Sequence, residues 1–131
     1  ITIPPMPYLT FDADFPIAEE KATTFERSVA DLYADLMDAD TSYTAVAVRD
    51  DVSLFLGRAD ESERTVVLSA EIREGRSTDR KRDLALAIID LVADTFDVPK
   101  SNQKVVLTEH EGHQMMGADR VGDDWDVSAD Q

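Results

Sequence analysis

The sequence predicts an α+β domain in which two β-α-β repeats build a four-stranded sheet with both helices on one face. Three observations lead there. The chain has 131 residues and a mass of 14.5 kDa, the length of one ordinary domain. Its apolar residues follow a short period, then a helical period, then a short period, and this order occurs twice. When the chain is laid on itself at an offset of sixty residues, Lys21 meets Lys81, Val29 meets Ile89, Leu32 meets Val92 and Leu36 meets Phe96, while Ala45-Val46-Ala47 meets Val105-Val106-Leu107.

The elements follow in order. Residues 1–6 read as an extension ahead of a single domain over 7–131, with repeats at about 7–60 and 61–125. Tyr8 to Asp12 is a short strand. A helix runs from about Ile17 to Met37, with Ala18, Ala22, Phe25, Val29, Leu32, Tyr33 and Leu36 along one face. Residues 38–42 turn the chain into a strand from Tyr43 to Val48, and Leu54-Phe55-Leu56 reads as a short extra strand. The second repeat has a strand from Thr65 to Ile72 and a helix from about Thr78 to Phe96, whose buried face is Leu84, Ala85, Ile88, Leu91, Val92 and Phe96. Ser77 is its expected N-cap, and Asp79 suits the positive first turn. Val98-Pro99 ends it, and Lys104 to Thr108 is the last strand.

Right-handed crossovers put both helices on the same side of the sheet. The continuous apolar runs Val66-Val67-Leu68 and Val105-Val106-Leu107 predict strands buried on both faces. One chain has too few elements to cover the second face, so oligomerisation through the sheet is expected.

Composition narrows the function. Thirteen Lys and Arg face 28 Asp and Glu, a net charge of −15, which repels phosphate backbones and anionic membranes, so neither nucleic acid nor membrane is an expected partner. The acids are mainly Asp and only four bases are Lys, the surface of a protein built for molar salt; a plainly acidic cytoplasmic protein is the alternative. No apolar run reaches the length of a membrane span and no signal pattern opens the chain, which makes a cytoplasmic location the expectation. The absence of cysteine excludes disulfides, thiolate metal sites and cysteine nucleophiles. There is no P-loop, dinucleotide fingerprint or nucleophile elbow, and no cofactor is expected. His110 and His113 stand three apart in Glu-His-Glu-Gly-His, in what reads as a loop; a third convergent ligand is not evident and no metal site is expected.

Met6-Pro7-Tyr8-Leu9 opens the first repeat and Arg73-Glu74-Gly75-Arg76-Ser77 precedes the second helix. With these residues, Gln114-Met115-Met116 and Trp125, nearly the whole chain from Pro7 to Trp125 resembles the tautomerase superfamily. The pattern is most similar to the cis-3-chloroacrylic acid dehalogenase branch, where two arginines three residues apart likewise precede the second helix. The resemblance implies a trimer of β-α-β repeats and a catalytic N-terminal proline, here Pro7. It also implies that Arg73 and Arg76 bind a substrate carboxylate, with Tyr33 and Trp125 as further candidates for the site. Where that branch has a water-activating glutamate this chain has Gly117; its assisting tyrosine falls on Val106 and its histidine on Tyr33. Hydrolytic dehalogenation is therefore disfavoured, whereas proton transfer needs only an amine and a carboxylate clamp.

The physical chemistry agrees with those roles. A free α-amino group titrates near ~8, and an apolar or cationic pocket lowers that further, which makes a neutral base at physiological pH. Residues 1–6 as written would acylate the nitrogen of Pro7 and remove its basicity. Either translation begins at Met6 and the methionine is removed, or the extension is native and the chain is a non-catalytic relative. Arg76 at the mouth of a helix can grip a carboxylate with two parallel hydrogen bonds; a surface arginine paired with one of many acids is the plainer reading. Tyr33, at helical spacing with Val29 and Leu36, reads first as a core residue. The expected function is tautomerisation of a small carboxylate-bearing keto or enol compound. The rivals are a non-catalytic oligomer of the same fold and a decarboxylase of the same superfamily.

Overall fold

A computed structural model describes residues 6–118. Its elements are β1 (Tyr8–Ala13), α1 (Glu19–Met37), β2 (Ala45–Arg49), β3 (Val66–Arg73), α2 (Thr78–Phe96) and β4 (Gln103–His110). The sheet order is β2-β1-β3-β4. Within each repeat the two strands are parallel, as a helical crossover requires, and the repeats join antiparallel through β1 and β3. Tyr8 faces Ala45 in one repeat and Val66 faces Gln103 in the other, the same separation along the chain, so the repeat extends to strand register.

Alternation selects the inner face of the sheet: Leu9, Phe11 and Ala13 on β1, and Val66, Leu68, Ala70 and Ile72 on β3, are buried. The helices cover it with four-residue stripes, Phe25, Val29, Tyr33 and Met37 on α1, and Leu84, Ile88, Val92 and Phe96 on α2. Phe25 ties the layers together, lying edge-on to Phe11 at 4.9 Å and 4.8 Å from Phe96 between ring centroids. Met37 and Phe96 are thus equivalent, one residue away from the sixty-residue offset.

Helix ends repeat as well. Ser77 caps α2 by accepting a bond from the Arg80 amide at 3.1 Å. Both helices end on an aspartate in the left-handed region, Asp38 and Asp97, whose amides bond back to Ala34 and Ala93. Neither last turn carries a basic residue. Instead an arginine from outside reaches the terminal carbonyl of each: Arg76 donates Nε and Nη2 to Met37 O at 3.2 and 2.8 Å, and Arg64 donates Nη1 to Phe96 O at 2.8 Å.

Several expectations change. α1 begins at Glu19, with Ala18 as an exposed N-cap residue that has no side-chain acceptor to offer. Leu54-Phe55-Leu56 forms no strand, and Phe55 is 93% exposed. β4 continues to His110, so Glu109 and His110 belong to the sheet and not to a loop. The second sheet face is amphipathic, not apolar. By register and alternation it carries the rows Ala45-Tyr8-Glu71-Thr108, Ala47-Thr10-Ser69-Val106 and Arg49-Asp12-Val67-Lys104. Only Tyr8, Val67 and Val106 are large apolar groups there, and Asp12 and Arg49 pair bidentately at 2.7 and 2.9 Å. Among the described residues no helix is long and apolar enough to cross a membrane.

Candidate active site

Pro7 stands buried just ahead of β1, where its missing N–H costs no ladder bond, and its carbonyl accepts the Ala45 amide at 3.0 Å. Tyr8 faces Glu71 across the antiparallel junction. Continuing that register by one residue sets Pro7 opposite Ile72, one position from Arg73. The proline therefore lies at the end of the sheet where β3 and β4 finish.

A cleft of about 390 Å³ opens at this end, a size suited to a small molecule. It is lined by Met6, Pro7, Tyr8, Tyr43, Ala45, Glu71, His110, Gln114, Met115 and Met116. The lining from beyond β4 is placed by a turn over Gly112–Gln114, closed by a reciprocal bond pair between Glu111 and Gln114. The walls are largely apolar, and their titratable members among the described residues are Glu71, His110 and two tyrosines. His110 Nε2 lies 3.0 Å from Glu71 Oε1. His113 pairs separately with Glu111 at 3.0 Å. The two histidines thus serve different glutamates, and among the described residues no group of three or more His, Asp or Glu is placed to hold a metal.

The arginines form a neighbouring cluster. Arg73 ends β3, is 8% exposed and is the register partner of His110. Gly75, at φ +113, makes the left-handed turn that leads from β3 into α2. Arg76 is held on Met37 O by two of its five N–H groups, and burial pushes its pKa down. Tyr33 is buried, and that burial pushes its hydroxyl up to about 12, against the pull of Arg76 and then Arg73. Arg73, Arg76 and Tyr33 do not line the Pro7 cleft; they stand at the C-terminal end of α1 and meet the cleft through the Arg73–His110 pairing. Trp125 lies outside the described residues.

Glu71 and Tyr43 are cleft residues that the sequence reading did not single out. Glu71 carried a signal: it is an acid in a strand otherwise read as buried on both faces. His110 falls in a loop when β4 ends at Thr108, and it joins the cleft because β4 runs on to His110.

The family model for Tautomerase, described as tautomerase enzyme, matches residues 67–124. That segment runs from the second residue of β3 through Arg73, Arg76, α2 and β4. Over that segment the chain is similar to the tautomerase family. No curated protein matches the sequence. Solved structures are similar over nearly the whole chain. A member of the cis-3-chloroacrylic acid dehalogenase family called N1 is 24% identical, with TM-score 0.74, over 87% of this chain and 82% of its own. The macrophage migration inhibitory factor of Toxoplasma gondii is 14% identical, with TM-score 0.76, over 86% and 97%. Pt0534, solved after inactivation by 2-oxo-3-pentynoate, is 18% identical, with TM-score 0.74, over 85% and 92%. At these identities the likeness is one of fold.

Proposed function

We propose that this tautomerase-like chain moves a proton between carbon and oxygen of a small carboxylate-bearing keto or enol compound, with Pro7 as the base once its nitrogen is free. The observation that carries the reading is the position of Pro7. It heads β1 inside a largely apolar cleft, one register position from Arg73, so the proline and a cation lie at the same end of the sheet. An apolar surround disfavours the ammonium form and suits an amine to general-base work near neutral pH. Arg73 and the three N–H groups of Arg76 not spent on Met37 O supply the attraction for a carboxylate. The working unit in this reading is a homotrimer.

The test compares a chain beginning at Pro7 with one retaining Met6. The first is expected to ketonise an aryl enol-pyruvate or a 2-hydroxy-dienoate, and the second to be inactive, because acylation delocalises the nitrogen lone pair. Equal rates from both chains overturn the proline base. Mass spectrometry gives a second readout: 2-oxo-3-pentynoate, the inactivator of Pt0534, is expected to add to the chain beginning at Pro7 and to spare the blocked one. Adduct on both, or on neither, counts against the reading. The intact mass of protein from its native host decides which chain exists there. Retention of residues 1–6 favours the non-catalytic oligomer.

A further inference from the structure

We propose that His110, held by Glu71, is a second proton-transfer group of the Pro7 cleft, exchanging a proton with the substrate's oxygen while Pro7 exchanges one with its carbon. This rests on the tautomerase reading above. Keto–enol interconversion changes protonation at two atoms, and a single amine serves one of them at a time.

Three observations place the dyad. Glu71 is the register partner of Tyr8, the neighbour of Pro7, and His110 is the register partner of Arg73, so sheet pairing fixes both at the proline's end of the sheet. Both line the cleft and keep 35% and 29% of their side-chain surface exposed, which leaves room for a solute to reach them. Asp12–Arg49, Asp79–Arg82, Asp90–Lys100 and Glu109–Lys81 lie away from this cleft, and of His113–Glu111, in the turn beside it, neither residue lines it.

The bond to Glu71 also selects the chemistry. An ionised carboxylate only accepts, so the imidazole donates Nε2–H to it. In the neutral ring the lone pair is then on Nδ1, which makes no hydrogen bond among the described residues. Glu71 fixes the tautomer and steadies the imidazolium that forms when Nδ1 takes a proton. In ketonisation Nδ1 removes the enol O–H proton. The O–H bond pair becomes the carbonyl π bond, and the former C=C pair takes a proton from the Pro7 ammonium, whose N–H electrons return to nitrogen. One proton has then passed to His110 and one has left Pro7, and solvent restores both. In this scheme His110 is the catalytic residue and Glu71 the positioning residue.

The test uses phenylenolpyruvate and the chain beginning at Pro7, with His110→Gln, Glu71→Gln and Glu71→Asp. His110→Gln is expected to lower kcat by ~10²-fold or more, within the range of general acid–base contributions, with KM changed only a few-fold. Glu71→Gln is expected to lower kcat, and Glu71→Asp to restore part of it. An active wild-type chain whose His110→Gln variant keeps its kcat overturns the dyad alone. A wild-type chain without activity overturns the tautomerase reading and the dyad with it. The full chain carrying ¹⁵N-histidine gives a measurement that needs no folded variant. Neutral His110 is expected as the Nε2–H tautomer, with an Nδ1 resonance that moves on adding phenylpyruvate. An Nδ1–H tautomer, or an Nδ1 resonance indifferent to that ligand, overturns the proposal whatever the rates show.

Discussion

Arg76 is asked to do two things, and its geometry separates them. Two of its N–H groups hold Met37 O at the end of α1, as Arg64 holds Phe96 O at the equivalent end of α2. Each bond satisfies a terminal carbonyl and sets a cation against the negative end of a helix dipole. Arg64→Ala and Arg76→Ala are therefore both expected to cost about 1.5–3 kcal/mol in urea unfolding, the range for hydrogen bonds to charged groups. Only Arg76→Ala is expected to raise KM for a carboxylate substrate as well. A KM unchanged in Arg76→Ala, at equal loss of stability, assigns that arginine to the helix end alone. Tyr33 supplies a second residue-scale expectation. Burial raises its pKa from 10.0 to about 12, so between those values the unfolded chain loses a proton that the folded chain keeps. Stability is whole below pH 10 and falls as the pH rises through 12, by up to roughly 2–3 kcal/mol at about 1.4 kcal/mol per unit. Tyr33→Phe is expected to flatten this alkaline limb in denaturant titrations across that window; a limb of unchanged slope removes Tyr33 as its source.

At the scale of elements, both helices stop on an aspartate at positive φ, 53° for Asp38 and 56° for Asp97. That conformation favours glycine, and a negative side chain at a helix C-terminus opposes the dipole. Asp97→Gly is the cleaner test, because Asp38 also sits in the field of Arg76. It is expected to stabilise the fold by about 0.5–1 kcal/mol, whereas Ser77→Ala, which removes an N-cap acceptor, is expected to cost about 1 kcal/mol. Thermal melts of the two variants moving the same way would contradict this account. These ends also show what the sequence could disclose. Four-residue stripes and Ser77 are local signals, and α2 was legible to its bounds from Thr78 to Phe96. Ala18 offers no capping side chain, and the start of α1 was correspondingly misplaced. β4 was cut short because Glu109 and His110 are polar, although Ile72 and Arg73 of β3 give them backbone partners. That single error hid the site: with His110 in a loop, its contact with Glu71, 39 residues earlier in the chain, had no geometric reason to exist. Pro7 and Arg76 could be placed because each lies just ahead of an element, and Arg73 because it closes β3. A partnership between two strands is set by register, which no local pattern states.

For the whole molecule, charge and assembly act on each other. A net charge of −15 on one small domain repels itself, and gathering several copies compounds the repulsion. The second sheet face, the surface proposed to be covered in the trimer, offers only modest apolar compensation. Its large apolar members are Tyr8, Val67 and Val106, with Tyr8 47% and Val106 42% exposed, interleaved with Thr10, Ser69 and the already paired Asp12 and Arg49. Burying so mixed a face yields less per unit area than a hydrophobic one, so the balance rests on how far the carboxylates see one another. The Debye length falls from about 10 Å at 0.1 M salt to about 3 Å at 1 M. Light scattering is therefore expected to find trimers in molar potassium chloride and dissociation as salt is lowered, with the unfolding midpoint falling in parallel. Val106→Asp, placing another carboxylate at the centre of the face, is expected to shift dissociation to higher salt without changing the helix content of the subunit. Salting-out would also favour the trimer at high concentration, but it has no reason to weaken selectively when one carboxylate is added, so the displacement of the salt curve by Val106→Asp separates the two. A trimer that persists in dilute buffer and is indifferent to Val106→Asp would put the assembly surface elsewhere.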